Sequence, residues 1–149
     1  MKVMKKVGLL SAMLAAFVGS AGAAEIVVTA GNMEKSGASR VALDIVTDGN
    51  VSGFNFFVRT GEVKGAINLS ACVADLPKGF SGSCQAAKDG VYVFAMADAK
   101  AVLPAGVTAV GSITLPASLA KAQRTISIEQ LEFADVDGKS VAVTAQIAQ

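Results

Sequence analysis

The feature that most constrains this chain is a two-residue period in its hydrophobic residues. Val41, Leu43 and Ile45 occupy every second position of one segment, and the same pattern recurs in 54–59 and 90–97. Such alternation places one side of an extended segment in a core and the other toward solvent or a second layer. The residues are mainly Val, Ile, Thr and Phe, which favour strands. The pattern therefore predicts β-structure along most of the chain.

Turn residues separate these segments at short intervals, as at Asp48-Gly49-Asn50, Asp89-Gly90 and Asp137-Gly138. Two short stretches, 98–103 and 117–123, each predict about one turn of helix. Many short strands joined by turns are typical of an antiparallel sandwich or barrel. We predict about nine strands, near residues 25–30, 40–48, 51–59, 62–69, 83–88, 90–97, 107–115, 125–133 and 139–147.

The N-terminus has the three parts of a secretory signal. Lys2, Lys5 and Lys6 precede an apolar run at 7–18, and Ala21-Gly22-Ala23 supplies the small residues that a signal peptidase requires. The sequence thus predicts a cleaved signal peptide at 1–23 and a single domain at 24–149. We expect a periplasmic or secreted protein whose mature chain does not insert into a membrane.

The charge of the mature chain argues against polyanionic partners. Removing 23 of the 149 residues leaves ten basic and twelve acidic residues, a net charge of −2. The chain has no basic run of the kind that binds nucleic acid or anionic lipid. A secreted protein or a glycan remains as the expected partner.

Two cysteines remain after the signal segment, Cys72 and Cys84, and thiols in exported proteins tend to oxidise. A bridge between them closes a loop rich in Gly, Pro and Ser, and it stabilises a fold by ~3 kcal/mol on the chain-entropy estimate. A redox-active pair is the alternative, but the C-x-x-C spacing is missing. The sequence favours a structural disulfide.

The residue types that most enzymes need are scarce. The chain has no histidine, which removes the usual general base, the usual zinc ligand and every Ser-His or Cys-His pair. Glu129 and Glu132 are the nearest pair of glutamates, but residues three apart on a regular strand face opposite sides. We expect no catalytic residues, no cofactor and no enzymatic activity.

The segment 132-EFADVDGKSVAVTAQ-146 resembles the opening of a calcium loop through Asp135 and Asp137. Counted from Asp135, however, such a loop needs Gly at position six and Glu at position twelve, where this chain has Ser140 and Gln146. An Asp-Gly pair between alternating segments is instead a hairpin signal. The sequence favours a hairpin turn, with a weak surface cation site as the alternative.

Aromatic residues argue against a flat sugar-stacking platform. The mature chain has no Trp, a single Tyr and six Phe, most of them inside predicted strands where core burial is the default. Only Phe80, in the predicted disulfide loop, is expected to be exposed.

Four segments in order resemble the cohesin domain. They are a strand pair with a G-F-x-F pattern, a strand ending in Ala-Asp, a Gly-led strand and a Phe-Ala-Asp step. In this chain they read 41-VALDIVTDGNVSGFNFFVRT-60, 90-GVYVFAMAD-98, 106-GVTAVGSITL-115 and 133-FADVDG-138. The resemblance spans most of residues 25–147, and the order of the segments rather than any single motif carries it.

The resemblance implies a nine-stranded jelly-roll β-sandwich, a fold shared with a superfamily of carbohydrate-binding modules. It also implies a non-catalytic role, because cohesins hold the dockerin modules of secreted polysaccharide-degrading enzymes through one sheet face. The leading hypothesis is thus an exported module that binds a dockerin-like protein or a carbohydrate. The alternative is an assembly subunit that pairs through an edge strand, for which 25-EIVVTA-30 is the candidate.

Overall fold

The computed structural model describes residues 23–33, 37–62, 65–116 and 126–148, and these contain eight strands and no helix. The strands, in chain order, are β1 (Ala23–Met33), β2 (Ser39–Thr47), β3 (Gly53–Arg59), β4 (Phe80–Ala87), β5 (Gly90–Ala97), β6 (Gly106–Leu115), β7 (Ser127–Ala134) and β8 (Ser140–Ala148). The signal segment up to residue 22 and the predicted helical turn at 117–123 lie outside the described residues. The predicted all-β fold is confirmed.

The strands follow one another in the order β4-β5-β3-β7-β8-β1-β2-β6. Only two residue pairs join β7 to β8, Phe133 with Val141 and Ala134 with Ser140. The series folds at this junction into two layers of four strands. We call β4-β5-β3-β7 sheet I and β8-β1-β2-β6 sheet II. Neighbouring strands are antiparallel except β1 and β8, which run parallel.

The two sheets bury their inner faces against each other, as the alternation predicts. Every second residue of β1, β2, β3 and β5 points inward, and the large inward side chains are almost fully shielded from solvent. This jelly-roll sandwich is held by a single hydrophobic core. Its largest buried apolar side chains are Phe56, Ile26, Leu43, Ile45, Leu103, Ile113 and Leu115.

The strand expected near 62–69 is missing from the described part of this segment. Gly61 and Gly65 have positive φ angles of 85° and 104°, which end the extended backbone on either side. Asn68 alone forms a bridge, with Thr114, and its side-chain Oδ1 then accepts a hydrogen bond from the Ser70 backbone at 2.9 Å. A polar turn therefore replaces the predicted strand.

The helical turn predicted at 98–103 is reduced to one tight turn. The amide of Ala101 donates to the carbonyl of Asp98 at 3.3 Å, and Leu103 then enters the core. Ala99 has a positive φ of 56°, which a continuing right-handed helix does not allow. The segment is thus a connection rather than a helix.

The segment 25–30 does not form an edge strand. It lies in β1, in the interior of sheet II, where it pairs with β2 on one side and β8 on the other. Its backbone groups are therefore already used, and the expectation that 25–30 is a free edge strand is wrong. The two edges of the series are β4 and β6.

Among the residues described, Glu25 is the one charged side chain that is completely buried. It points away from the core on the outer side of sheet II, in register with Val46 and Thr144. Neither carboxylate oxygen has a hydrogen-bond partner in the part of the chain that the structure describes, and burial raises the pKa of this carboxyl group. A charged, unpaired carboxylate here costs stability.

Candidate functional site

The outer face of sheet I carries a row of exposed apolar side chains along β5. Tyr92, Phe94 and Met96 are 41%, 45% and 70% exposed. They point outward because the intervening Val91 and Val93 fill the core. We call Tyr92, Phe94 and Met96 the β5 stripe. Three large apolar residues in a row on an interior strand of a sheet are a typical mark of a binding surface.

Small polar residues on β4 leave one side of the stripe uncovered. Ser81 is in register with Met96, and Ser83 with Phe94. Both serines are exposed, and neither has the length to shield its apolar neighbour. The stripe is therefore open toward the β4 edge.

On the other side of the stripe, β3 holds Tyr92 in place. The ring of Phe57 lies 4.6 Å from the ring of Tyr92, and the guanidinium of Arg59 lies 5.2 Å from the Phe57 ring centre. Phe57 is only 2% exposed although it points out of the sandwich. The space for its ring comes from Gly90, which has no side chain. Phe57 and Arg59 thus form a rigid base for the Tyr92 end of the stripe.

Charged groups line the far side of this base. Arg59 donates to both carboxylate oxygens of Glu129, at 2.6 and 2.8 Å, and it also forms an ion pair with Asp89. The hydrogen bonds to Glu129 raise the pKa of Arg59, and the same bonds lower the pKa of Glu129. A two-point contact of this kind fixes the guanidinium in one orientation.

A second polar pair lies lower on the same face. The Asn55 side-chain amide donates to Glu132 at 3.1 Å. Glu129 and Glu132 thus lie on one face, and the prediction that they face opposite sides is wrong. Gln130 has a φ of 56°, and this left-handed residue adds a bulge that resets the alternation of β7.

The stripe borders an open depression of about 670 Å³ at the end of sheet I near the β7–β8 turn. Phe94 and Met96 line one side, Asn55 and Glu132 the other, and Ser140 closes the end. This depression combines apolar side chains with a few polar groups. Such a lining suits a protruding side chain of a partner.

The expectation that Phe80 alone is exposed is wrong. Phe80 is half-buried against the core, whereas Phe94 is exposed at the centre of sheet I. Phe80 begins β4 on its inward side, and Phe94 occupies an outward position of β5. The side of the strand, and not its residue type, decides which ring is exposed.

Cys72 and Cys84 are joined by a disulfide, with 6.4 Å between their Cα atoms. Cys72 is buried in the connection before β4, and Cys84 is on β4 itself. The bridge therefore ties this connection to the outermost strand of sheet I. Both sulfurs lie away from the β5 stripe, on the inner side of the sheet.

Asp135 and Asp137 lie in the turn between β7 and β8. The Asp135 carboxylate accepts hydrogen bonds from the amides of Asp137 and Lys139, both at 2.9 Å, and Gly138 has a positive φ of 80°. The Asp135 carboxylate thus stabilises the turn in which it lies. Across the residues described, no group of three or more acidic, Cys or His residues comes together to hold a metal ion.

The described residues form no helix that is long and apolar enough to cross a membrane.

Comparison with known proteins places the fold. No family model and no curated protein matches the sequence. Among solved structures, a non-cellulosomal cohesin from Archaeoglobus fulgidus is similar, with a TM-score of 0.57 at 15% identity over 84% of this chain and 92% of that chain.

Two further similar structures are cohesins solved as complexes. One is the Clostridium thermocellum OlpC cohesin bound to the dockerin Doc435, with a TM-score of 0.57 at 14% identity over 84% of this chain and 93% of that one. The other is the third ScaC cohesin of Acetivibrio cellulolyticus bound to the ScaB dockerin. Its TM-score is 0.58 at 11% identity, over 84% of this chain and 97% of that chain. The chain described here has the cohesin fold.

Proposed function

We propose that this protein is an exported, non-catalytic module that binds a protein partner through the outer face of sheet I. The observation that carries the proposal is the β5 stripe of Tyr92, Phe94 and Met96, which is exposed on a rigid sheet. A stripe of this size has no role in the core, and its exposure to water is unfavourable unless something covers it.

The fold supports a dockerin-like module as the partner. Cohesins of the same fold have been solved with dockerins bound. A sheet face with an apolar centre and a polar border suits a protein partner. The border here consists of the pairs Arg59–Glu129 and Asn55–Glu132. On this proposal the dockerin belongs to a secreted enzyme, and the module contributes to polysaccharide degradation by holding it.

The residue content supports a non-catalytic role. The chain has no histidine, and its two cysteines are joined in the disulfide. The acidic side chains of the face are engaged, because Glu129 binds Arg59 and Glu132 binds Asn55. The face thus offers contact area and fixed charges rather than a reactive group.

Export is supported by the basic, apolar and small-residue parts of segment 1–23 and by the disulfide, which persists in oxidising compartments. We place the mature chain in the periplasm or outside the cell.

A carbohydrate is the second candidate ligand. The rings of Tyr92 and Phe94 are exposed two residues apart on one strand, and exposed aromatic rings stack on sugar faces. The Tyr92 ring, however, is tilted against Phe57 at 51°, so that the two rings do not form a flat platform. A protein partner therefore fits this surface better.

A pull-down tests the proposal. The immobilised protein is exposed to secreted proteins, to isolated dockerin modules and, in parallel, to soluble polysaccharides. The double variant Phe94→Ser/Met96→Ser is expected to weaken binding by about tenfold or more. The control is Val107→Ser, which removes an equally exposed apolar side chain from the outer face of sheet II. Equal retention by both variants, or retention of no protein at all, contradicts the proposal.

A further inference from the structure

The two edge strands, β4 and β6, differ in whether their outward backbone groups are hydrogen-bonded. The β6 edge is capped by the connection before β4. The backbones of Asn68 and Thr114 exchange two hydrogen bonds. The amide of Ser112 donates to the carbonyl of Ala71 at 2.8 Å, and the amide of Asp75 donates to the carbonyl of Val110 at 3.0 Å. These bonds occupy the groups of β6 that would otherwise be free to pair with another strand.

Within the described ranges, the β4 edge has no such cap. The backbone amide of Asp98 donates to the carbonyl of Gly79 at 2.6 Å, and this bond shows which residues of β4 and β5 are the hydrogen-bonded pairs. Ser81, Ser83 and Gln85 therefore direct their backbone groups to β5. The alternate residues direct theirs to the outside, and they are Gly82, Cys84 and Ala86. No hydrogen bond within the described residues uses these outward groups.

The β4 strand also lacks the side chains that usually protect an edge. Its sequence FSGSCQAA contains no charged residue and no proline, and its pairing with β5 shows no bulge. From Ser81 to Ala87 its residues are exposed or half-buried. The uncharged edge from Ser81 to Ala87 is therefore a ready template for another strand.

We propose that β4 pairs antiparallel with β4 of a second copy of this chain, around a two-fold axis at Cys84. This register brings all the outward groups together: Gly82 faces Ala86 of the other copy, and the two Cys84 residues face each other. Each of these pairs exchanges two backbone hydrogen bonds. The two sheets I then become one continuous sheet across the dimer.

Side chains suit this self-pairing. On the outer face, Ser83 of one copy meets Gln85 of the other, and such polar pairs stabilise neighbouring strands. On the inner side, the small Gly82 and Ala86 allow close approach. Lys88 lies opposite Phe80 of the second copy, and its charge is already paired with Glu62 at 3.2 Å. No like charges are directly opposed.

The dimer leaves both β5 stripes uncovered, because the new contact lies along the edge and not on the face. It therefore stands independently of the proposed partner-binding function.

Amide hydrogen exchange, resolved by residue with NMR at low and high protein concentration, tests the dimer. Sedimentation is measured on the same samples. We expect the amides of Gly82, Cys84 and Ala86 to exchange about tenfold more slowly at high concentration, where the dimer forms. The amides of Ser81, Ser83 and Gln85 are bonded within the chain and should be protected at both concentrations.

Two variants complete the test. Ala86→Pro removes an outward N–H at the edge, where proline is tolerated, and should yield a monomer. Ala86→Ser keeps the N–H and should remain a dimer. A monomeric wild-type protein at every concentration overturns the proposal. So does a dimer in which Gly82, Cys84 and Ala86 exchange equally fast at both concentrations, and this result needs no variant to fold.

Discussion

The ring of Phe57 lies directly over Gly90 on the neighbouring strand. A Cβ atom at residue 90 would lie 2.5 Å from the Phe57 ring and 2.3 Å from the carbonyl oxygen of Val58. The backbone oxygen cannot move away without breaking the pairing of β3 with β5. The missing side chain at Gly90 thus allows an aromatic residue to be buried on an outward face.

Gly90→Ala should therefore destabilise the protein by about 2 kcal/mol or more. Chemical denaturation measures the loss. The matched control is Gly53→Ala, at the other end of the same strand pair, where an added Cβ meets no atom closer than 3.5 Å. Equal stability of the two variants would show that Phe57 does not lie over Gly90.

Arg59 holds the Glu129 carboxylate in its charged form. A carboxyl group whose pKa falls on folding stabilises the protein above its unfolded pKa, near the ordinary value of 4.5, and this contribution disappears as the pH falls through the folded pKa. Arg59→Gln should therefore raise the pKa of Glu129 and reduce the loss of stability on acidification below about pH 4.5.

NMR titration of the Glu129 side chain measures this shift. Lys88→Gln serves as the control, because it removes the well-exposed ion pair with Glu62 and leaves Arg59 in place. A Glu129 pKa that is the same in the wild type and in Arg59→Gln would rule out the two-point contact.

Glu25 should affect stability in the opposite direction. Burial raises its pKa, so the folded protein takes up a proton more readily than the unfolded chain. Stability should then increase as the pH falls from 7 toward the ordinary value near 4.5. In the full-length chain, Glu25→Gln removes the charge and should raise stability at pH 7 by about 1–2 kcal/mol.

Thermal unfolding between pH 5 and about pH 8 detects this effect, since most other carboxyl groups are ionised throughout that range. Glu62→Gln is the control, because it removes a carboxylate from a well-exposed side chain instead of a buried one. A wild type whose stability is flat over the range, and a Glu25→Gln variant no more stable than wild type, would be inconsistent with a buried charge at this position.

The disulfide should contribute about 3 kcal/mol, because it closes a short loop that is otherwise free in the unfolded chain. The double variant Cys72→Ala/Cys84→Ala should lower the unfolding temperature in oxidising buffer. Wild type in a reducing buffer should approach the same value, and the double variant should not respond to reductant. A reductant effect on the double variant would assign the loss to something other than the bridge.

The alternation of apolar residues is sufficient to predict short strands in a sandwich or a barrel, and the resemblance to cohesins selects the sandwich. The alternation failed where the backbone departs from extended geometry. The backbone of Gln130 is left-handed and brings Glu129 and Glu132 to one face. A glutamine does not predict a left-handed conformation, so the sequence does not indicate this bulge. Near 62–69 the apolar pattern was present, but the glycines at 61 and 65 redirect the chain.

The sequence contains a signal for the β5 stripe. The segment 90-GVYVFAMA-97 is apolar on both sides, and a strand of this kind is either covered by a second layer or exposed as a binding surface. Choosing between them requires knowledge of which strands lie outside it. The order of the strands in the folded structure and the exposure of Tyr92, Phe94 and Met96 show that no described layer covers the outer side of β5.

In the proposed complex, the partner covers the outer face of sheet I. The most direct measurement is the NMR signal of the Met96 methyl group while the protein is titrated with the partner that it retains. Val107, on the outer face of sheet II, is the internal reference. We predict that the Met96 signal shifts and saturates with the binding curve while the Val107 methyl signals stay in place. Shifts at Val107 with an unchanged Met96 signal would contradict the account.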